Sequence, residues 1–185
     1  MNAAIDFEAI AAQIHQYYCD LAVTEQYGND FPMAFADLPE YMKEDNRAAA
    51  RRIGQVLALA GLRLVPRGGQ PLTKGDQDEM PNLIEQNIDL LAEGEHDGWT
   101  ESRLRQGWRL GPCKDVAKRQ SHLLVPYSRF PEQIKRKQEH ERAEGRSPRM
   151  SVEEEVKKEK AKDRDSVRNY VKIIAQTEYR IAREE

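Results

Sequence analysis

The sequence has only two cysteines, Cys19 and Cys113, and it shows no basic N-terminal segment followed by an apolar run. Such a segment marks exported proteins, and its absence predicts reduced thiols and a cytoplasmic location. The longest apolar stretch, residues 53–65, is too short to cross a bilayer and is interrupted by Arg63. We therefore expect no membrane partner.

Catalytic signatures are missing as well. The sequence contains no phosphate-binding loop, no Gly-x-Gly-x-x-Gly, no Gly-x-Ser-x-Gly and no paired-cysteine metal motif. These absences favour a protein that is not an enzyme and has no cofactor or metal. The formal net charge is −3 with both signs abundant, which does not indicate a nucleic-acid polymer as a partner.

The first part of the chain has the spacing of two helices and a strand. A helix is predicted over residues 6–27, where apolar side chains recur every three or four positions and Asp6 can cap the first turn. Asp37 is the predicted cap of a second helix, which is followed by a short strand at 62–65. The pattern predicts a mainly α fold with short β segments.

The second half alternates apolar and highly charged segments. A third helix is predicted over residues 79–106, and a short strand at 122–125 lies within a long non-helical stretch. Residues 136–160 form a charged insert with almost no apolar stripe. Residues 138–159 are accordingly expected to be dispensable for folding.

The two halves can also be aligned with each other. The sequence FPE at 130–132 corresponds to LPE at 38–40, and each opens a helix. The segments 61–64 and 178–181 correspond as short apolar exits from the helical regions. This similarity predicts an internal repeat.

Four spaced motifs identify the second half: GWRLGP at 107–112, Lys114-Asp115, HLLVPY at 122–127 and FPE at 130–132. In this order they resemble the ryanodine-receptor repeat, a module found in pairs in those calcium-release channels and in small prokaryotic and viral proteins. Leu110 stands where that family usually has an aromatic residue. The first half lacks the Gly-Trp motif and the Leu-Val-Pro-Tyr block, so its repeat is degenerate.

The resemblance implies a definite organisation. Residues 1–66 are the degenerate repeat, 67–78 a linker, and 79–185 the second repeat with its charged insert. Two pseudo-symmetric helix–loop–helix repeats would pack together, and the groove between packed units is a natural ligand site. By resemblance, the expected ligand is a nucleotide or nucleotide-derived signal.

The predicted ligand-binding residues are Trp108, Arg109, Trp99, Arg103, Tyr127 and Lys114. Two roles stay open for Trp108, a core anchor or a stacking platform for a nucleobase. Arg103 and Arg109 are the candidates for gripping phosphate. Trp99 as a second wall and Tyr127 as a contact each have a structural alternative, which for Tyr127 is a locally bonded hydroxyl.

These features predict a small ligand-binding module that senses or sequesters a nucleotide-type molecule. The alternative is a protein-interaction module without a small-molecule ligand. Assembly into a homo-oligomer is left open by the sequence.

Overall fold

The computed structural model describes residues 4–25 and 33–184, and in it the protein is mainly helical with short strands. This confirms the predicted fold class. The helices are α1 (Phe7–Glu25), α2 (Glu40–Ala58), α3 (Lys74–Gln86), α4 (Ile88–Arg105), α5 (Phe130–Ala143) and α6 (Val152–Ala175). The strands are β1 (Leu62–Pro66), β2 (Arg109–Leu110), β3 (Gln120–Ser121) and β4 (Tyr179–Arg183), and short 3-10 turns lie at Phe35–Asp37 and Tyr127–Arg129.

Helices from both ends of the chain form the first compact unit, Met1–Leu91 with Val167–Glu185. Its core includes the buried side chains of Ile10, Ile14, Ile53, Leu57, Leu62, Ile84, Leu91, Val167 and Ile174. The apolar stripes predicted along α1 and α2 thus face a common core, where burial of each large aliphatic side chain contributes about 1.5–3 kcal/mol. The predicted end of the first helix at residue 27 lies outside the described residues.

The first two helices begin in different ways. The Asp6 carboxylate accepts hydrogen bonds from the backbone N–H groups of Glu8 and Ala9, both at 3.0 Å, which confirms Asp6 as a cap. The prediction that Asp37 caps α2 is wrong. Pro39 is the N-cap residue without a side-chain cap bond, and Asp37 ends the 3-10 turn before it.

The corresponding segments at 61–64 and 178–181 lie side by side in the structure. β1 and β4 pair antiparallel in a register that sets Leu64 opposite Ile181. Leu62, Leu64, Tyr179 and Ile181 are buried, whereas the alternate positions are more exposed. The predicted strand at 62–65 is therefore confirmed, and the apolar exit after the last helix is a strand as well.

The predicted helix at 79–106 is two helices. α3 begins at Lys74, inside the predicted linker, because Thr73 and Asp76 form a capping box with backbone-to-side-chain bonds of 3.1 and 2.9 Å. Asn87, at φ −111° and ψ 14°, separates α3 from α4. Gly75 in the first turn obscured this start in the sequence, since glycine usually weakens helices.

The second compact unit is Ala92–Ser166. Val125, Tyr127, Phe130 and Ile134 form its apolar core. Val152 and Val156 of α6, one turn apart, pack against this cluster.

Residues 138–159 were expected to be dispensable for folding, but side chains of this segment pack into the second unit. Gln138 and Glu155 are only 2% and 7% exposed. The Gln138 amide donates to Glu155 at 2.9 Å and to the Met150 carbonyl at 3.1 Å, and Lys137 forms an ion pair with Glu155. Burial by itself would raise the pKa of Glu155, but the bonds from Gln138 and Lys137 outweigh it and lower that pKa.

The compact units do not follow the predicted division at 66 and 79, because Val167–Glu185 belongs to the first unit. The repeat boundaries stay a prediction, since repeats are defined by superposition and not by packing. Among the helices of the described residues, none is both long and apolar enough to cross a membrane.

Candidate functional site

The hydrogen bonds at the C-terminal end of α4 determine the position of Trp108. Gly107 adopts φ 82°, and its N–H donates to the Leu104 carbonyl at 3.0 Å. The N–H of Trp108 then donates to the Arg103 carbonyl, also at 3.0 Å. This pair of bonds is a Schellman motif, which needs a left-handed residue and favours glycine there. The Gly-Trp motif therefore fixes the indole beside the last turn of α4.

The Arg103 side chain covers one face of that indole. Its guanidinium carbon lies 5.1 Å from the centroid of the Trp108 ring, within cation–π range. Arg103 also donates through Nη1 to Oε1 of Gln106 at 3.1 Å. Both Arg103 and Trp108 are only partly buried. Trp108 is therefore not a fully enclosed core anchor.

A short parallel ladder follows Trp108. Arg109 pairs with Gln120 and Leu110 with Ser121. A Cβ atom on Gly111 would lie 2.8 Å from the Gln120 Cβ, so only glycine fits at this position without a shift. Gly107 and Gly111 are thus both required by the fold itself.

The basic side chains of residues 103–119 divide into some with a partner and some without one. Arg105 pairs with Glu101 at 2.5 Å, Lys118 with Asp115 at 3.3 Å, and Arg119 donates to the Gln106 carbonyl at 3.1 Å. Arg109 and Lys114 are exposed, and among the described residues their side chains have no ion-pair or hydrogen-bond partner. These two cations are the ones available to an anion.

Trp99 lies one helical turn before Arg103 on α4, and positions four apart share a helix face. Its ring centroid is 5.6 Å from that of His96, and the indole is partly buried. Trp99 and Arg103 therefore lie on the same face of α4, and Arg103 stacks on Trp108.

Tyr127 has a structural environment. It is 8% exposed, and its hydroxyl oxygen lies 2.8 Å from Oδ2 of Asp163, to which it donates, and 3.2 Å from the Ala92 carbonyl. Burial, and then the Asp163 carboxylate, raise the pKa of Tyr127. The structure thus gives Tyr127 a bonded hydroxyl, as in its alternative role, although the partners are distant in sequence and not local.

His96 shares the same carboxylate. It is 3% exposed, and Nε2 lies 2.8 Å from the Val125 carbonyl, which can only accept, so Nε2 carries a proton. Nδ1 lies 3.4 Å from Oδ2 of Asp163. Burial lowers the pKa of His96, but the bonds to Asp163 and Val125 outweigh it and the net effect is a raised pKa. Asp163 therefore ties two buried groups of the second unit together.

Residues 76–147 match the family model described as the RyR domain. This part of the chain is an RyR domain. The match contains the motifs at 107–112, 122–127 and 130–132 that carried the resemblance. The degenerate first repeat lies outside the matched residues and stays a prediction.

Within the RyR domain, the predicted site residues fall into two groups. Arg103, Trp108, Arg109 and Lys114 belong to one segment at the end of α4, with Arg103 and Trp108 in contact. Trp99 and Tyr127 instead lie with the ring of His96, at 5.6 and 5.1 Å between centroids. The first group is the candidate site, and the second packs around the buried His96 of α4.

His122 was missed by the sequence analysis. The predicted strand at 122–125 is wrong, because β3 ends at Ser121 and a turn follows. His122 is 7% exposed, and neither ring nitrogen has a hydrogen-bond partner within the described part of the chain. Burial, and then the Lys137 ammonium, lower its pKa and so favour the neutral ring. The apolar residues after it in HLLVPY were the available signal for its burial.

Replacing Gly107 with alanine should destabilise the RyR domain by about 1–2 kcal/mol, because an L-residue at this positive φ is strained. The matched control is Gly75→Ala, where the nearest side-chain atom to a Cβ is 3.6 Å away and φ is not positive. Urea denaturation should show a loss for Gly107→Ala and no loss for Gly75→Ala. Equal midpoints for both variants would contradict the role given to Gly107.

Proposed function

We propose that the RyR domain binds a nucleotide or nucleotide-derived signal at Trp108, as a non-enzymatic cytoplasmic sensor or sequestering protein. The observation that carries the proposal is a partly exposed indole in the same chain segment as two exposed cations without partners among the described residues, Arg109 and Lys114. A flat base stacked on an aromatic ring contributes about 1–3 kcal/mol in nucleic-acid complexes. Arginine binds phosphate through two parallel N–H bonds.

The charge around this site supports an anionic ligand. Residues 103–119 contain six basic side chains and one acidic side chain, although the whole chain has a net charge of −3. A local excess of one sign concentrates ligands of the opposite sign. The paired basic side chains add to the local positive potential. Arg109 and Lys114 add to it as well and can also contact the ligand directly.

The test is a thermal-shift panel with AMP, ADP, cyclic AMP and ADP-ribose on the wild-type protein and on Trp108→Ala, Arg109→Ala and Arg105→Ala. A ligand present at a hundred times its Kd should add about 2.7 kcal/mol, or roughly 5–10 °C in Tm for a protein of this size. Trp108→Ala and Arg109→Ala should lose most of this shift. Arg105→Ala should keep it, because Arg105 is already paired with Glu101.

Circular dichroism must first show that Trp108→Ala is folded. The proposal fails if no nucleotide shifts the wild type, or if folded Trp108→Ala responds as the wild type does.

The second candidate function is a protein-interaction module. Leu104, Leu110 and Val116 are 51%, 44% and 66% exposed in the same segment, and apolar side chains at such exposure are typical of partner surfaces when they cluster. Two results together would favour this function. No nucleotide would shift the Tm of the wild type, and analytical ultracentrifugation would show self-association that Leu110→Ser weakens.

A further inference from the structure

The guanidinium of Arg103 lies over one face of the Trp108 ring. Its position is fixed at two points, since the backbone carbonyl of Arg103 accepts from the Trp108 N–H at 3.0 Å and Nη1 donates to Gln106 at 3.1 Å. The stack of Arg103 on Trp108 is therefore part of the C-terminal turn of α4.

A cation on one face changes what the ring will accept on the other. The negative face of an aromatic ring attracts cations, and the π electrons are shared by both faces. With Arg103 already in place, a second cation on the opposite face would compete for the same electrons and would be repelled by the guanidinium. A neutral, electron-rich ring has neither disadvantage.

We infer that Arg103 sets the charge specificity of the site, so that Trp108 stacks neutral heteroaromatic bases such as purines and discriminates against cationic rings. This rests on the proposed function, because it assumes that a nucleotide base stacks on Trp108. It adds to that function a positioning residue, Arg103, which acts on the ligand through the indole.

Two methylated forms of AMP provide matched probes. In 1-methyl-AMP the adenine ring is protonated and cationic at neutral pH, whereas in N6-methyl-AMP it is neutral, so the two differ by one proton and by the position of the methyl group. Oxidised and reduced nicotinamide mononucleotide form a second pair that differs in ring charge. Each Kd is measured by isothermal titration calorimetry for the wild type, Arg103→Lys and Arg103→Met.

The wild type should bind the neutral member of each pair at least about tenfold more tightly, a factor within the range of cation–π energies. Arg103→Met keeps an extended side chain but removes the charge, and it should reduce this ratio to about twofold or less. Arg103→Lys keeps a cation near the ring and should retain most of the ratio. Comparing ratios cancels the effect of the methyl group itself and of any general loss of stability.

The possible results separate the two ideas. If the wild type binds AMP but the neutral-to-cationic ratio is the same in all three proteins, the inference about Arg103 is wrong and the proposed function stands. If Arg103→Met binds both members of a pair more tightly by the same factor, Arg103 blocks the ring and does not select, which also overturns the inference. If the wild type binds neither AMP nor any of the probes, the proposed function fails and the inference fails with it.

Discussion

Replacing residues 138–159 with a short Gly/Ser linker is expected to unfold the second unit, Ala92–Ser166, or to lower its stability by at least about 3 kcal/mol. The segment supplies Val152 and Val156, which cover the core cluster around Phe130. Its removal would expose an aromatic side chain that is 0% accessible in the intact protein. Thermal unfolding followed by circular dichroism measures the effect.

Buried polar contacts of this segment also hold it against the second unit. Glu155 accepts from Gln138 at 2.9 Å and pairs with Lys137, and the side chains of Lys137 and Glu155 are 19% and 10% exposed. Removing one member of a buried, hydrogen-bonded pair commonly costs about 3–5 kcal/mol, because the other charge is left without compensation. Glu155→Ala alone should therefore reproduce much of the loss, whereas Glu139→Ala, at an exposed position of the same segment, should change stability by less than about 0.5 kcal/mol.

A second control keeps the helices and changes only the loop between them. Residues 146–149 are mostly exposed, and replacing them with Gly/Ser should leave the unfolding midpoint nearly unchanged. If the full replacement of 138–159 were as stable as this loop variant, the packing described for Val152, Val156 and Glu155 would not hold the second unit together.

Local signals in the sequence were sufficient for part of the fold. The Asp6 cap depends on residues within one turn, and a strand such as β1 is visible as a short apolar alternation next to a glycine. Such features are predictable because the residues that cause them are adjacent in the chain. The correspondence between the exits at 61–64 and 178–181 found the two segments, but their antiparallel pairing is visible only in the structure.

The charged insert shows where composition fails. Its average polarity hides two valines four positions apart, which are enough to place one helical stripe against a core. Glu155 is buried because Gln138 and Lys137 of another helix bind its carboxylate. The local sequence around Glu155 gives no indication of these partners. Charge content predicts a solvated segment only when such partners are absent.

The candidate site divides in the same way. The contact between Arg103 and Trp108 is local, since both belong to the capping motif that Gly107 completes, and the Gly-Trp motif led to it. The shared role of Asp163 for His96 and Tyr127 joins three distant parts of the sequence. Tyr127 consequently looked like a ligand contact, although its hydroxyl is already bonded.

Substitution of Asp163 should destabilise the second unit in a way that depends on pH. Asp163 accepts from the Tyr127 hydroxyl at 2.8 Å and lies 3.4 Å from Nδ1 of His96. Asp163→Ala leaves both buried groups without this partner, and we expect a loss of about 3–4 kcal/mol at pH 5.5. Asp163→Asn removes the charge but keeps an oxygen that can accept from Tyr127, so its loss at that pH should be nearer about 2 kcal/mol.

The sign of the pH dependence follows from the raised pKa of His96. A raised pKa in the folded state means that folding favours the protonated ring, so this stabilisation is complete below the unfolded value of about 6.5 and is lost as pH rises through the folded value. Above that, Nδ1 is a lone pair facing a carboxylate, so the charge of Asp163 no longer stabilises the ring. Urea denaturation at pH 5.5 and pH 9 should therefore show a smaller cost of Asp163→Asn at pH 9, while Asp163→Ala still loses about 1–2 kcal/mol through Tyr127. His122, whose pKa is lowered, is common to all three proteins and cancels in these differences. A cost of Asp163→Asn that is equal at both pH values would show that His96 is not charged against Asp163 in the folded protein.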